Sequence, residues 1–140
     1  MAKIAVVYWS ATGNTEAMAE AVAEGAKGAG AEVSMLAPAQ FTADDVDKFD
    51  AIAFGCPAMG DEVLEEDEFE PMFAACEKKL SGKKIGLFGS YGWGDGQWMR
   101  DWDERARRDG AEMPKSYVIA NDYPSDDAKA ECAALGRALA

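Results

Sequence analysis

The sequence predicts an α/β fold: a single doubly wound, five-stranded parallel sheet of strand order 2-1-3-4-5 with helices on both faces. Three observations carry this prediction. Five short, continuous apolar runs recur along the 140 residues, the pattern of strands buried on both faces. Between them lie segments whose apolar residues fall at helical spacing. No linker or internal repeat interrupts the alternation, so residues 1–140 are expected to form one domain.

The first strand is Ile4 to Tyr8, ended by Trp9-Ser10, and Met18, Val22 and Ala26 then share one face of a helix. Glu32 to Leu36 is the second strand. Thr42 followed by Asp45, then Val46 and Phe49, predicts a short capped helix. Ala51 to Gly55 is the third strand, and Phe69, Met72, Phe73, Cys76 and Leu80 form the next helical stripe. Lys84 to Gly89 is the fourth strand, followed by the stripe Trp98, Trp102 and Ala106. Ser116 to Ala120 is the fifth strand, and Ala128, Cys132, Leu135 and Leu139 mark the last helix. Right-handed crossovers between parallel strands put helices on both faces. Ligands of such sheets bind beyond the carboxyl ends of the strands, beside the first one, so the loops after strands one, three and four are the candidates.

Charge and composition exclude several chemistries. The chain has 26 Asp and Glu against 14 Lys and Arg, a formal net charge of −12, which argues against nucleic-acid and anionic-membrane partners and for basic protein partners. A hydrophobic fraction of 49% belongs to a globular domain, so the acidity does not imply disorder. The chain has no His, which removes imidazole as base, nucleophile partner or metal ligand; no metal site is expected. Cys56, Cys76 and Cys132 contain no C-x-x-C pair and read as reduced, buried thiols. Met1-Ala2-Lys3 runs directly into the first strand without an export signal, and no apolar run is long enough to cross a bilayer, so a cytoplasmic location is expected.

After the first strand comes Ser10-Ala11-Thr12-Gly13-Asn14-Thr15, leading into a helix. Free backbone N–H groups, the helix dipole and the hydroxyls of Ser10, Thr12 and Thr15 together suit an anion. The loop has no Lys or Arg and matches neither G-K-[ST] nor G-x-G-x-x-G, so it suits one terminal phosphate; an ordinary cap cluster is the alternative. The third strand ends in Gly55-Cys56-Pro57-Ala58-Met59-Gly60-Asp61-Glu62, where Gly60 permits the positive φ of a type II′ turn over Met59 to Glu62. Met59 could pack on an aromatic ring or simply cap the core. The fourth strand leads into Gly89-Ser90-Tyr91-Gly92-Trp93-Gly94-Asp95-Gly96, whose Tyr91 and Trp93 suit stacking on a planar ligand or covering a core edge. Taken together, the three loops describe a site for a flat ring on a phosphorylated tail.

Over essentially its whole length the chain resembles the flavodoxins, specifically the short-chain kind of anaerobic bacteria. The motifs that carry this are V-V-Y-W-S-A-T-G-N-T-E-A-M-A, G-C-P-A-M-G-D-E-V-L-E and G-L-F-G-S-Y-G-W-G-D-G-Q-W-M. The resemblance implies bound FMN, with Ser10, Ala11, Thr12, Gly13, Asn14 and Thr15 around its phosphate. It implies Met59 and Trp93 on the two faces of the isoalloxazine ring, Glu62 on its pyrimidine edge, and the backbone of Gly60 and Asp61 at N5. Pro57, Ala58, Ser90, Tyr91 and Gly92 would complete the cofactor contacts, with Asn121 near the ribityl chain. Ala11 stands where relatives often have Gly, at a position that contributes mainly backbone.

From Asp61 to Glu70 all residues but Val63, Leu64 and Phe69 are acidic, which suits either a solvated helix start or a charged rim around the flavin. Such a rim would repel a second electron, each ~59 mV of one-electron potential corresponding to about 1.4 kcal/mol. The expected function is therefore a low-potential one-electron carrier whose noncovalent FMN cycles mainly between semiquinone and hydroquinone. It would be a monomer and not an enzyme, serving flavin reductases and iron–sulfur oxidoreductases through their basic docking faces. The alternative is a small FMN-dependent NAD(P)H oxidoreductase acting on a quinone or similar acceptor. That activity needs open space over the ring, which Met59 and Trp93 would cover.

Overall fold

The computed structural model describes residues 1–140. Its strands are Lys3–Tyr8 (β1), Glu32–Leu36 (β2), Ala51–Gly55 (β3), Lys84–Tyr91 (β4) and Val118–Asn121 (β5). All four pairings are parallel, and the order is β2-β1-β3-β4-β5, as the sequence predicts. The helices are Asn14–Gly28 (α1), Ala43–Val46 (α2), Phe69–Cys76 (α3), Gln97–Arg108 (α4) and Asp126–Leu139 (α5). At the start of α2 the Asp45 carboxylate accepts the Thr42 backbone N–H at 2.9 Å, the reach-back that the Thr-x-x-Asp spacing implies.

Successive strand residues point to opposite faces, which splits the core in two. Ala5, Val7, Ile52, Phe54, Ile85 and Leu87 face α3 and α4, whereas Ile4, Val6, Ala51, Ala53 and Phe88 face α1 and α5. The first layer is aromatic: Phe54 meets Phe73 edge-on at 5.1 Å, and Phe69 meets Trp102 edge-on at 5.4 Å. Arg105 closes its rim, 2.7 Å from both the Glu70 and Glu77 carboxylates and over the Phe73 ring. The second layer is thin because α1 and α5 cross tightly; a β-carbon on Gly25 would lie 2.0 Å from the Ala133 carbonyl oxygen.

Four strand boundaries differ from the sequence reading: β1 starts one residue earlier, at Lys3, β5 ends one residue later, at Asn121, and two others move further. β4 continues through Ser90 and Tyr91, because these residues pair with Ala120 and Asn121 of β5. Both were expected in a loop. β5 begins at Val118 rather than Ser116, since its register starts opposite Phe88. The stripe ending at Leu80 is also broken: α3 stops at Cys76 and a 3₁₀ turn, Glu77–Lys79, carries the chain to Leu80.

Candidate functional site

The carboxyl ends of β1, β3 and β4 converge on a cavity of about 200 Å³. It is lined from the first loop by Ser10, Ala11, Thr12, Asn14 and Thr15, from the second by Pro57, Ala58 and Met59, and from the third by Ser90, Tyr91 and Gly92. Trp9 and Asp122 complete the wall, and no Lys or Arg takes part.

The first loop is built as an anion cradle. Gly13, with φ +93°, caps α1, a conformation that disfavours any residue with a β-carbon. The Ser10 hydroxyl oxygen accepts the N–H groups of Gly13 at 3.2 Å and Glu16 at 3.3 Å. The N–H groups of Asn14 and Thr15 have no partner within the chain, as the first turn of a helix requires, and those of Ala11 and Thr12 just before it are also unpaired. Thr12 is exposed, but Thr15 is 1% exposed, and its Oγ lies 3.1 Å from the Ser90 Oγ. The Thr15 hydroxyl oxygen also accepts the Ser90 N–H at 3.4 Å, so it ties the loop to β4 while lining the cavity.

The second loop extends the pairing beyond β3, with the Ala58 N–H donating to the Ser90 carbonyl at 3.1 Å. Met59 and Val63 then exchange hydrogen bonds of 2.9 and 3.0 Å, which closes a hairpin with a three-residue tip, Gly60, Asp61 and Glu62. Gly60 has the expected positive φ of +48°, but the turn is one residue longer than a type II′ turn over Met59 to Glu62, and Glu62 is itself left-handed at +58°. One Glu62 carboxylate oxygen accepts the Gln97 N–H at 3.2 Å, so the hairpin tip is pinned to the start of α4.

On the third loop the Tyr91 ring packs tilted against Trp98 with centroids 5.6 Å apart. Trp93 follows the cavity-lining Gly92 but is 65% exposed and stands outside the wall. Gly60, Asp61 and Glu62 do not line the cavity either; Gly60 and Asp61 border a separate hollow beside Met59, and Glu62 faces α4. The Asn121 side chain is turned to the Tyr91 carbonyl, 3.3 Å from its amide nitrogen, and its neighbour Asp122 lines the cavity instead. Asp122 has φ +57°, a conformation that Asp tolerates better than most residues, and its N–H also donates to Tyr91 at 2.8 Å. Trp9 could have been found from its place directly after the first strand.

The acidic run serves two purposes. Glu65 is 6% exposed, and its carboxylate accepts three N–H groups, from Asp67, Glu68 and Phe69, each at 2.8 Å. Burial alone would raise its pKa, but these three donors outweigh it and hold the carboxyl below the ordinary range. Asp61, Glu66, Asp67 and Glu68 are exposed. Asp61, Glu66 and Asp67 border an open acidic hollow of about 450 Å³ on the far side of Met59. The three thiols are buried, as expected; burial pushes Cys76 up to about 11 and Cys132 to about 12, so both stay protonated at neutral pH.

Comparison with known proteins agrees with this geometry. The family model for flavodoxin matches residues 6–136. A flavodoxin of Clostridium beijerinckii is 46% identical over 135 residues, covering 96% of this chain and 97% of its own. One from Megasphaera elsdenii is 47% identical over 137 residues, covering 98% of each. The solution structure of two-electron reduced Megasphaera elsdenii flavodoxin superposes with a TM-score of 0.90 at 48% identity, covering 97% of both chains. A Rhizobium johnstonii NAD(P)H dehydrogenase (quinone) matches over 48 residues only, 34% of this chain and 24% of its own. The chain belongs to the flavodoxin family.

Proposed function

We propose that this cavity seats FMN phosphate-first and that the chain passes single electrons between redox partner proteins. As a flavodoxin it is an electron-transfer protein with FMN as its cofactor, not an enzyme. The observation that carries the site assignment is the cradle of four unpartnered N–H groups at the start of α1, with no basic residue in the wall. A dianion there is held by amide dipoles and hydroxyls alone. Because the Ser10 oxygen already accepts two N–H groups, its own proton is left to donate to the phosphate, together with Thr12. Thr15, bonded to Ser90, holds the cradle at a fixed distance from β4 and would meet the phosphate from the cavity wall.

Next to the cradle, Met59 from one wall and Trp93 from beside Gly92 would cover the two faces of the ring. Glu62, fixed through one oxygen by Gln97, would accept the pyrimidine N–H with the other. Gly60 and Asp61 would offer backbone groups to the ring's reactive edge, and Asn121, with Asp122, would border the ribityl chain. FMN supplies the one-electron chemistry; the chain binds and orients it, limits water at the ring and sets the local charge. Exposed Asp61, Glu66, Asp67 and Glu68 make addition of further negative charge costly, which favours a low potential for the second electron. The same carboxylates would steer the basic docking faces of flavin reductases and iron–sulfur oxidoreductases.

A monomeric, cytoplasmic carrier accounts for the strong net charge, and no helix is long and apolar enough to cross a membrane. Fluorescence titration of apo-protein tests the site: FMN should bind at least tenfold more tightly than riboflavin. Equal affinities would remove the phosphate from the first loop.

A further inference from the structure

Trp98 and Trp102 lie one turn apart on α4, each 2% exposed, yet only one of them makes a directed bond. The Trp102 indole N–H has no partner, so this ring fills space. The Trp98 N–H donates to the Cys56 carbonyl at 3.2 Å. Cys56 is the residue from which the second loop leaves β3, and its thiol sulfur accepts the Glu65 N–H at 3.3 Å where the loop returns. Both feet of the Met59–Val63 hairpin therefore meet at Cys56. β4 approaches so closely here that a β-carbon on Gly89 would lie 2.1 Å from the Cys56 carbonyl oxygen and 3.2 Å from the Trp98 ring. At the other end of the hairpin, Glu62 is bound by the N–H of Gln97, the residue before Trp98. Two consecutive residues of α4 thus hold the hairpin at its base and its tip. The loop that carries Trp93 leads directly into that same turn.

We propose that Trp98 is a positioning residue for electron transfer. Its indole N–H, acting through the Cys56 carbonyl, fixes the separation between the hairpin that carries Met59 and Gly60 and the loop that carries Trp93. Trp102 shows that packing alone can place an indole in this core with its N–H unpaired, so the bond to Cys56 is what sets Trp98 apart. Movement of the second loop is thereby confined to the tip between Met59 and Val63, so the ring environment is set by a residue that does not line the cavity. The proposal rests on the FMN reading of the site, and the experiment separates the two.

Trp98→Phe keeps a buried ring and removes the donor; Trp102→Phe is the control for lost volume. In apo-protein, Trp98→Phe should speed amide exchange at Val63 and Glu65 at least tenfold while the amides of β1 are unchanged, and Trp102→Phe should not. In FMN-loaded protein, Trp98→Phe should weaken FMN and riboflavin by the same factor, about tenfold, because the phosphate cradle is untouched. It should also move the two midpoint potentials, which Trp102→Phe leaves in place. If the two variants behave alike in exchange and potentials, Trp98 only fills space and the proposal is wrong. Should the unmodified protein not bind FMN while the exchange difference persists, the positioning stands and the FMN reading fails. If Trp98→Phe does not fold, solvent exchange of the indole N–H groups in the unmodified protein decides: that of Trp98 should be at least tenfold slower than that of Trp102 in both the oxidised and the reduced FMN-loaded protein, and equal rates overturn the proposal.

Discussion

Glu65→Gln tests how the site is held up from below. In the parent, one carboxylate oxygen accepts the N–H groups of Glu68 and Phe69 and the other accepts that of Asp67, all at 2.8 Å. The amide keeps one acceptor oxygen for the first pair but turns an NH₂ toward the Asp67 N–H, and it loses the charge that strengthens all three bonds. A hydrogen bond to a charged group contributes about 1.5–3 kcal/mol, and a buried donor left unpaired costs about 1–3 kcal/mol, so the variant should lose about 2–4 kcal/mol at neutral pH. The folded-state pKa of Glu65 is depressed, so its contribution is present above the unfolded carboxyl pKa and disappears as pH falls through the folded value. The difference between parent and variant should therefore shrink from pH 7 to pH 3. Urea denaturation of both apo-proteins across that range measures it. A difference below 1 kcal/mol at pH 7, or one that does not change with pH, would refute the idea that the three N–H groups are held by a buried charge.

Four further outcomes are expected. Gly60→Ala places a β-carbon in open space at φ +48°, so its cost of about 1–2 kcal/mol is backbone strain alone; potentiometry should show the two midpoint potentials drawing together while oxidised FMN still binds. Ser10→Ala removes the acceptor for two N–H groups and a donor to the phosphate, and should lower FMN affinity about 10- to 100-fold by fluorescence titration with little effect on riboflavin. Burial and the neighbouring Glu77 push Asp109 up to about 6, so its stabilising contribution is present below the unfolded carboxyl pKa and lost as pH rises through about 6; Asp109→Asn should gain stability over the parent between pH 4 and pH 7 in thermal denaturation. Stopped-flow rates with a basic redox partner should fall as salt rises, because the exposed carboxylates beside Met59 steer the encounter.

The sheet order and three converging loops were legible in the sequence because buried parallel strands and glycine-rich turns leave local signatures. What stayed hidden depends on contacts between distant segments. Ser90 and Tyr91 look like the start of a glycine loop and become strand only through pairing with Ala120 and Asn121. Thr15 and Thr12 are alike as hydroxyls, yet the depth of the α1 start buries one against Ser90 and leaves the other exposed. Glu65 is indistinguishable within a run of carboxylates until α3 turns back and aims three N–H groups at it. The length of the hairpin tip is set by the Met59–Val63 pair, which Gly60 alone does not reveal.

The central claim, that the chain carries electrons one at a time on FMN, is tested most directly by a reductive titration of the FMN-loaded protein followed by visible absorption and electron paramagnetic resonance. The account predicts two separated one-electron steps, with a flavin radical making up most of the cofactor at the midpoint and the second step at the lower potential. Reduction in a single two-electron step without a radical, driven directly by NADH or NADPH, would contradict it and make the chain an oxidoreductase in its own right.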